Sequence, residues 1–194
     1  MCIRDRFSGL CVLLESQEID NQEYILLKKQ LITFSNDLLD KQTGCYFKES
    51  VTSDSEMING AMKVLTGLDW LATPVHEPKN LIDTCLEIKP LSYGCDIVDI
   101  IYILYMCAKE TTYKRKDIVR YLEEIELVIS KHYQSETGGF SYYLQNSQKY
   151  YYGLSITKGV KTADIHGTTL LLWAYSMINY IKQIEDIKLN VIKP

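Results

Sequence analysis

The chain has 194 residues, 46% of them apolar and 24% charged, which is too few for two full cores of usual size and too apolar for disorder throughout. With 21 Lys and Arg against 25 Asp and Glu the formal charge is −4; no basic stripe stands out to neutralise a row of phosphates, so nucleic acid is not an expected partner. The longest apolar stretch, 168–181, is interrupted by Ser176 and Asn179 and falls short of the roughly 18 residues that a transmembrane helix takes, so no membrane span is expected.

Two biases qualify this picture. Tyr outnumbers Phe by 15 to 4, so many aromatic faces carry a hydroxyl, which suits a core or cavity that is partly wet. The six cysteines, Cys2, Cys11, Cys45, Cys85, Cys95 and Cys107, are scattered without a CxxC pair. They read as small packed thiols in a reducing compartment, and a cytoplasmic location is expected.

Residues 1–20 stand apart. Met1-Cys2-Ile3-Arg4-Asp5-Arg6 resembles a technical prefix found on assembled sequences and is set aside for fold reasoning. The following run, Phe7 to Leu14, imitates a signal peptide poorly: it is short, Gly9 interrupts it, and no small-residue cleavage site follows. The expectation is a scar joined to the remnant of a preceding helix, a domain over 21–185, a tail over 186–194, and a natural protein that begins upstream.

From Asn21 onward the periodicity predicts helices in alternation. Tyr24, Leu27, Leu31, Phe34 and Leu38 form one apolar stripe opposite Lys28, Lys29 and Asn36, an amphipathic outer helix. Ile58 to Leu71 predicts a more apolar, inner one. Leu81, Ile82, Cys85, Leu86 and Ile88 mark a short outer helix, and Ile97 to Cys107, apolar on nearly every face, an inner one. Ile118, Leu122, Ile125, Ile129 and Tyr133 define the third outer helix and 168–181 the third inner one. Glycines punctuate the changes of direction at Thr43-Gly44-Cys45, Tyr93-Gly94-Cys95 and Thr137-Gly138-Gly139-Phe140. Their spacing is that of helical-hairpin repeats, which bury their faces only by stacking on neighbours. A Tyr-rich insertion over 142–163, with Tyr150-Tyr151-Tyr152-Gly153 inside it, predicts a short hairpin or ordered loop, and long loops in compact domains are more often functional than idle.

Glu136-Thr137-Gly138-Gly139-Phe140, a loop, and then Asp164-Ile165-His166-Gly167-Thr168-Thr169 leading an apolar helix together resemble the repeat of the α/α-toroid superfamily, which holds the protein prenyltransferase β subunits and the squalene and terpene cyclases. The resemblance covers about residues 26–181. It implies an all-α fold in which outer and inner helices alternate around a central cavity, with ligand groups where inner helices begin. A closed toroid takes about five to seven hairpins, and three are present, so about half a ring is expected. Such a piece is completed by a missing N-terminal half or associates through its open edge.

The superfamily's prenyltransferases imply zinc held by an Asp-x-Cys pair and a Tyr-His-Thr motif. Only Cys95, Asp96 or Asp99, and His166 answer to those positions. Cys95-Asp96 is adjacent and reversed, and Gly167 separates His166 from Thr168. A packed thiol and helix-capping carboxylates are therefore the reading taken, with no cofactor established and zinc as the alternative. The Asp-x-Asp-Asp acid motif of the squalene cyclases is absent, and Asp96-Ile97-Val98-Asp99 is not the Asp-Asp-x-x-Asp of metal-dependent terpene synthases.

The candidate site is positional. Glu56 and Asn59, Asp96 and Asp99, and Asp164 and His166 stand where the three inner helices begin, and in a toroid these starts share one rim, whose helix dipoles favour anions. His166 is the expected general acid or base, oriented or charged by Asp164; Asn59, Glu56, Asp96, Asp99, Tyr93 and Tyr152 are the expected substrate-binding residues. Plainer roles stay open: Asp96 and Asp164 as N-caps, His166 as a histidine satisfied by a neighbour. Gly60 and Gly167 each cost a helix about 1 kcal/mol relative to Ala, so their places after Asn59 and His166 imply close packing or close approach of a ligand. The function expected is an enzyme acting on an isoprenoid or a glycan, and the alternative is a noncatalytic helical-repeat module that binds a peptide or polysaccharide.

Overall fold

The computed structural model describes residues 3–48, 53–89, 92–151, 153–184 and 189–194, and these are mostly helical. Among them are seven helices: α1 (Ile3–Ser16), α2 (Asn21–Leu38), α3 (Asp54–Trp70), α4 (Pro78–Glu87), α5 (Gly94–Glu110), α6 (Arg115–Ser130) and α7 (Ile165–Lys182). Four two-residue strands lie between α6 and α7: β1 (Tyr133–Gln134), β2 (Gly139–Phe140), β3 (Tyr150–Tyr151) and β4 (Leu154–Ser155). No helix among the described residues is long and apolar enough to cross a membrane. The chain divides into two units, one of Met1–Ile88, Met106–Tyr113 and Lys193–Pro194, the other of Lys89–Tyr105 and Lys114–Ile192.

In the first unit, α1 lies along α3. Phe7, Cys11 and Leu14, spaced i, i+4, i+7 on one face of α1, are buried. The fit depends on two notches. A Cβ on Gly67 would come within 2.5 Å of the Phe7 ring, and that ring stacks on Phe34 of α2 at 6.0 Å. At Gly60 the Arg4 guanidinium occupies the space a side chain would fill, donates to the Tyr46 carbonyl at 3.3 Å and meets Glu56 at 3.6 Å. Residues 3–16, set aside at the level of sequence, are thus a packed helix. α3, expected as the first inner helix, is covered by α1, and exposed apolar surface lies instead on α1 and α2, where Leu10, Leu13, Leu27 and Leu31 help line a groove of about 310 Å³.

Local chemistry sets the ends of these elements. Asp20 caps α2 by accepting the N–H of Gln22 at 2.9 Å, and Ser53 caps α3 by accepting the N–H of Glu56 at 3.2 Å. Between α2 and α3 the chain turns back through a Leu39–Tyr46 bridge. Gly44 there has a φ of +75°, and a Cβ on it would lie 2.7 Å from the Leu81 amide nitrogen and 2.9 Å from the Glu77 carbonyl. Both conformation and space demand glycine at this position.

In the second unit the expected helices are present, with three differences. Gly94 is the first residue of α5 and not a turn residue between helices, so Asp96 lies inside the first turn and does not cap it. α6 ends at Ser130, so Tyr133, expected on its apolar stripe, stands in β1 and is half exposed. α7 is apolar around its circumference but only partly covered: Leu171, Ala174, Met177, Ile178 and Ile181, with Ser176 and Asn179, are buried while Ile165, Leu172 and Tyr180 are exposed. Hydropathy reports that a face is apolar, not that something covers it. α5 does match the expectation, with Ile97, Val98 and 100–104 buried. α7 is tied to α6 by Lys182 and Glu126 at 2.7 Å and by Arg115 donating to the Ile181 carbonyl.

The hairpin expected in the Tyr-rich insertion forms, pairing Tyr150 with Ser155 and Tyr151 with Leu154. A second hairpin, not anticipated, pairs Tyr133 with Phe140 and Gln134 with Gly139.

Because Phe7 fills the Gly67 notch, Phe7→Ala is expected to remove about 3–5 kcal/mol of stability, read as a lower urea midpoint with unchanged slope. An unchanged midpoint would show that α1 does not hold the first unit together.

Candidate functional site

The best-built polar constellation lies in the second unit, where α7 begins. Asp164 precedes α7 with extended backbone, and its Oδ1 accepts the Gly167 N–H at 2.7 Å, an N-cap of the usual kind. Its other oxygen, Oδ2, accepts two more amides from the insertion, Tyr142 N–H at 2.9 Å and Gln148 N–H at 3.1 Å. One carboxylate thereby fixes the helix start and two points of the preceding loop. The main chain adds a hydrogen bond from Asp164 N–H to the Phe140 carbonyl at 3.0 Å. Thr168 adds two more, its hydroxyl accepting from Phe140 N–H at 3.0 Å and donating to the Phe140 carbonyl at 3.2 Å.

Gly167 completes the fit. A Cβ on this residue would overlap the Tyr142 amide nitrogen and lie 2.6 Å from the Ser141 carbonyl carbon. The obstacle is backbone, which cannot swing aside. The likeness between Asn59-Gly60 and His166-Gly167 therefore has two packing causes: Gly60 receives the end of an arginine, and Gly167 receives the chain itself.

This docking holds His166 at the surface of the unit, half buried. Its ring stacks on Tyr142 with centroids 5.0 Å apart and planes at 16°, and Tyr151 stands edge-on to it at 5.8 Å. Nδ1 lies 2.6 Å from Gln148 Oε1. A carbonyl oxygen only accepts, so Nδ1 carries the proton and the lone pair of the neutral ring resides on Nε2. Nε2 has no hydrogen-bond partner among the described residues. Gln148, not Asp164, takes the imidazole hydrogen; Asp164 acts on the ring's protonation through its charge and on its position through the Tyr142 and Gln148 amides it holds. Burial lowers the His166 pKa below its ordinary 6.5, and the charge of Asp164 opposes that shift without overcoming it.

An aromatic run extends from the histidine. Tyr142 meets Tyr143 edge-on at 4.9 Å, and Tyr143 meets Tyr93 at 5.6 Å. Tyr93 is exposed. At its other end the Tyr142 hydroxyl is engaged with Cys95, and burial together with that contact raises the phenol's pKa. Behind the run sits a second histidine. His132 is fully buried; its Nδ1 donates to the Ser141 carbonyl at 2.7 Å, and Ser141 N–H returns a bond to the His132 carbonyl at 2.9 Å. Burial lowers its pKa also.

The expected residues are thus distributed as follows. Tyr93, Cys95, Asp96, Asp99, Asp164 and His166 belong to the second unit, and Glu56 and Asn59 to the first. Glu56 contributes its N–H to the Ser53 cap and its carboxylate to Arg4. Asp99 is buried on α5. Tyr152 lies outside the described residues. Among the described residues no three His, Cys, Asp or Glu side chains are grouped as a metal ion would require, and the Cys95 thiol faces the Tyr142 phenol. Sequence reasoning did not find Gln148, which carries no motif, or His132. Tyr142, Tyr143 and Tyr151 were visible only as members of a Tyr-rich insertion.

With three amides on one carboxylate, Asp164→Ala is expected to lower stability by about 2–4 kcal/mol, measured by chemical unfolding; a change under about 0.5 kcal/mol would contradict the role assigned to it. His76, His132 and His166 all have folded-state pKa values below their ordinary 6.5. Below about pH 6.5 the unfolded chain binds more protons than the folded one, so stability is full above that pH and declines as pH falls. Unfolding free energy that rises between about pH 7 and 5.5 would contradict the sign.

No family model matches the chain, and neither a curated protein nor a solved structure matches it.

Proposed function

We propose that the chain is an α/α-toroid-like helical-hairpin protein that acts on a glycan, with Nε2 of His166 as the proton-transferring atom. The observation that carries the reading is the histidine's setting: stacked on Tyr142, flanked by Tyr151, anchored through Nδ1 on Gln148, and with an Nε2 that has no partner among the described residues. A ring kept neutral by partial burial is a base at neutral pH.

Exposed tyrosine faces around the histidine favour a sugar over an isoprenoid. The groove where α7 begins, about 440 Å³, is lined by Ala163 and Ile165 as well as Thr137, Asp164, Thr168 and Thr169, so its lining does not separate a sugar from an isoprenoid. Exposed faces of Tyr93, Tyr150 and Tyr151 offer flat, electron-rich surfaces on which the C–H face of a pyranose packs. The toroid-like reading is supported by burial that alternates from α3 to α6: α4 and α6 bury one stripe, whereas α3 and α5 are buried on several sides.

The exposed tyrosines also support the second reading, a noncatalytic module that holds a polysaccharide on the same face. The two are separable. On an oligosaccharide panel scored for new reducing ends or unsaturated sugars, His166→Gln is expected to lower turnover by at least about a hundredfold while leaving binding within threefold. Tyr151→Ala is expected to weaken binding. Equal turnover by the folded His166→Gln chain would remove the catalytic role, and binding without any turnover by the parent chain would establish the module instead.

A further inference from the structure

Resting on the glycan reading, we propose that the saccharide is anionic, and that a cleft beside the β1–β2 hairpin binds its carboxylate or sulfate. The cleft, about 250 Å³, is lined by Lys131, Gln134, Ser135, Glu136, Thr137 and Lys161 among others, a space suited to a single sugar residue and below the range of drug-sized pockets. Lys131 and Lys161 are both exposed, and neither ammonium has a hydrogen-bond or ion-pair partner among the described residues. Lys63, Lys109 and Lys182 by contrast are each paired with a carboxylate. Two unpaired cations on one small cleft attract an anion, and the pair outweighs the single carboxylate of Glu136.

The neutral groups narrow the ligand further. Thr137 Oγ1 already accepts the Ala163 N–H at 3.2 Å, which leaves its hydroxyl hydrogen to donate. Glu136 only accepts when ionised, so it selects against a bare inorganic anion and for a group that presents hydroxyl hydrogens beside its charge. An acidic sugar has both. Tyr133, half exposed at the same cleft, supplies an aromatic face for the ring. A buried hydrogen bond ties the wall of the cleft to the histidine site: Gln134 Nε2 donates to Ser141 Oγ at 3.2 Å, and the next residue, Tyr142, is the one stacked on His166.

The test uses the full chain and three hexasaccharide probes in titration calorimetry: a carboxylated oligogalacturonide, a sulfated carrageenan oligomer and neutral cellohexaose. At least one anionic probe is expected to bind about tenfold or more tighter than the neutral one at low salt, an advantage that shrinks toward molar salt. Which of the two does so identifies the group. The double variant Lys131→Gln, Lys161→Gln, two exposed positions, is expected to erase that advantage while leaving the affinity for cellohexaose and the unfolding midpoint unchanged. Equal affinity for all three probes, or an advantage that survives in the double variant, would overturn the anionic-site proposal and leave the glycan reading standing. Absence of binding by every probe would overturn both.

Discussion

One carboxylate organises the second unit. Asp164 receives the N–H of Gly167 from its own helix and the N–H groups of Tyr142 and Gln148 from the loop before it. A long loop has many conformations to lose, and a charged acceptor with three donors is a strong means of selecting one. The consequences pass directly to the site. Tyr142 is fixed beside the helix start, so its ring lies flat on His166; Gln148 is fixed across from it, so its amide oxygen reaches Nδ1. Had Asp164 bonded the imidazole itself, the ring would carry an anion on Nδ1 and favour the charged form. A neutral amide in that place leaves burial as the larger influence, and the ring stays neutral near neutral pH.

The same economy of space recurs in both units, always at a glycine. Gly67 admits the Phe7 ring, Gly60 admits Arg4, Gly44 admits the backbone at the start of α4, and Gly167 admits the backbone of 141–142. These contacts differ in how forgiving they are. A side chain that meets a new methyl group can rotate away, but a peptide unit held by its own hydrogen bonds cannot. Gly44 and Gly167 are therefore the stricter requirements, and they set the positions of a turn and of a helix start respectively. The local order around His166 is a product of packing that would exist with or without a ligand, and it is this order that makes the histidine's free nitrogen a defined one.

What the sequence made legible follows from the range of the forces involved. The helices announced themselves through periodicity, because burial of one face imposes a repeat on the chain. Their ends were less legible: Asp96 has the composition of a cap but lies within the first turn, and Asp164, of the same type, is a true cap. The β1–β2 hairpin escaped notice since strands of two residues are too short to show a repeat. Coverage was not legible either, so the exposed Ile165 and Leu172 on α7 could not be told from the buried Leu171 and Met177. At the site, Gly167 was visible as an anomaly whose cause was not, since the Ser141–Tyr142 backbone that explains it is distant in sequence. Gln148 gave no sign at all. Its importance arises from three-dimensional contacts with Asp164 and His166, and nothing in its neighbourhood distinguishes it from other polar loop residues.

The reading rests on the protonation pattern of one ring, and nitrogen-15 NMR of the histidine side chains observes that pattern directly. At pH 7, long-range proton–nitrogen correlations of His166 are expected to show a neutral imidazole protonated on Nδ1, with Nε2 resonating as an unprotonated nitrogen. A ring that is protonated on Nε2, or an imidazolium at that pH, would contradict the account of how Gln148 and Asp164 position this histidine.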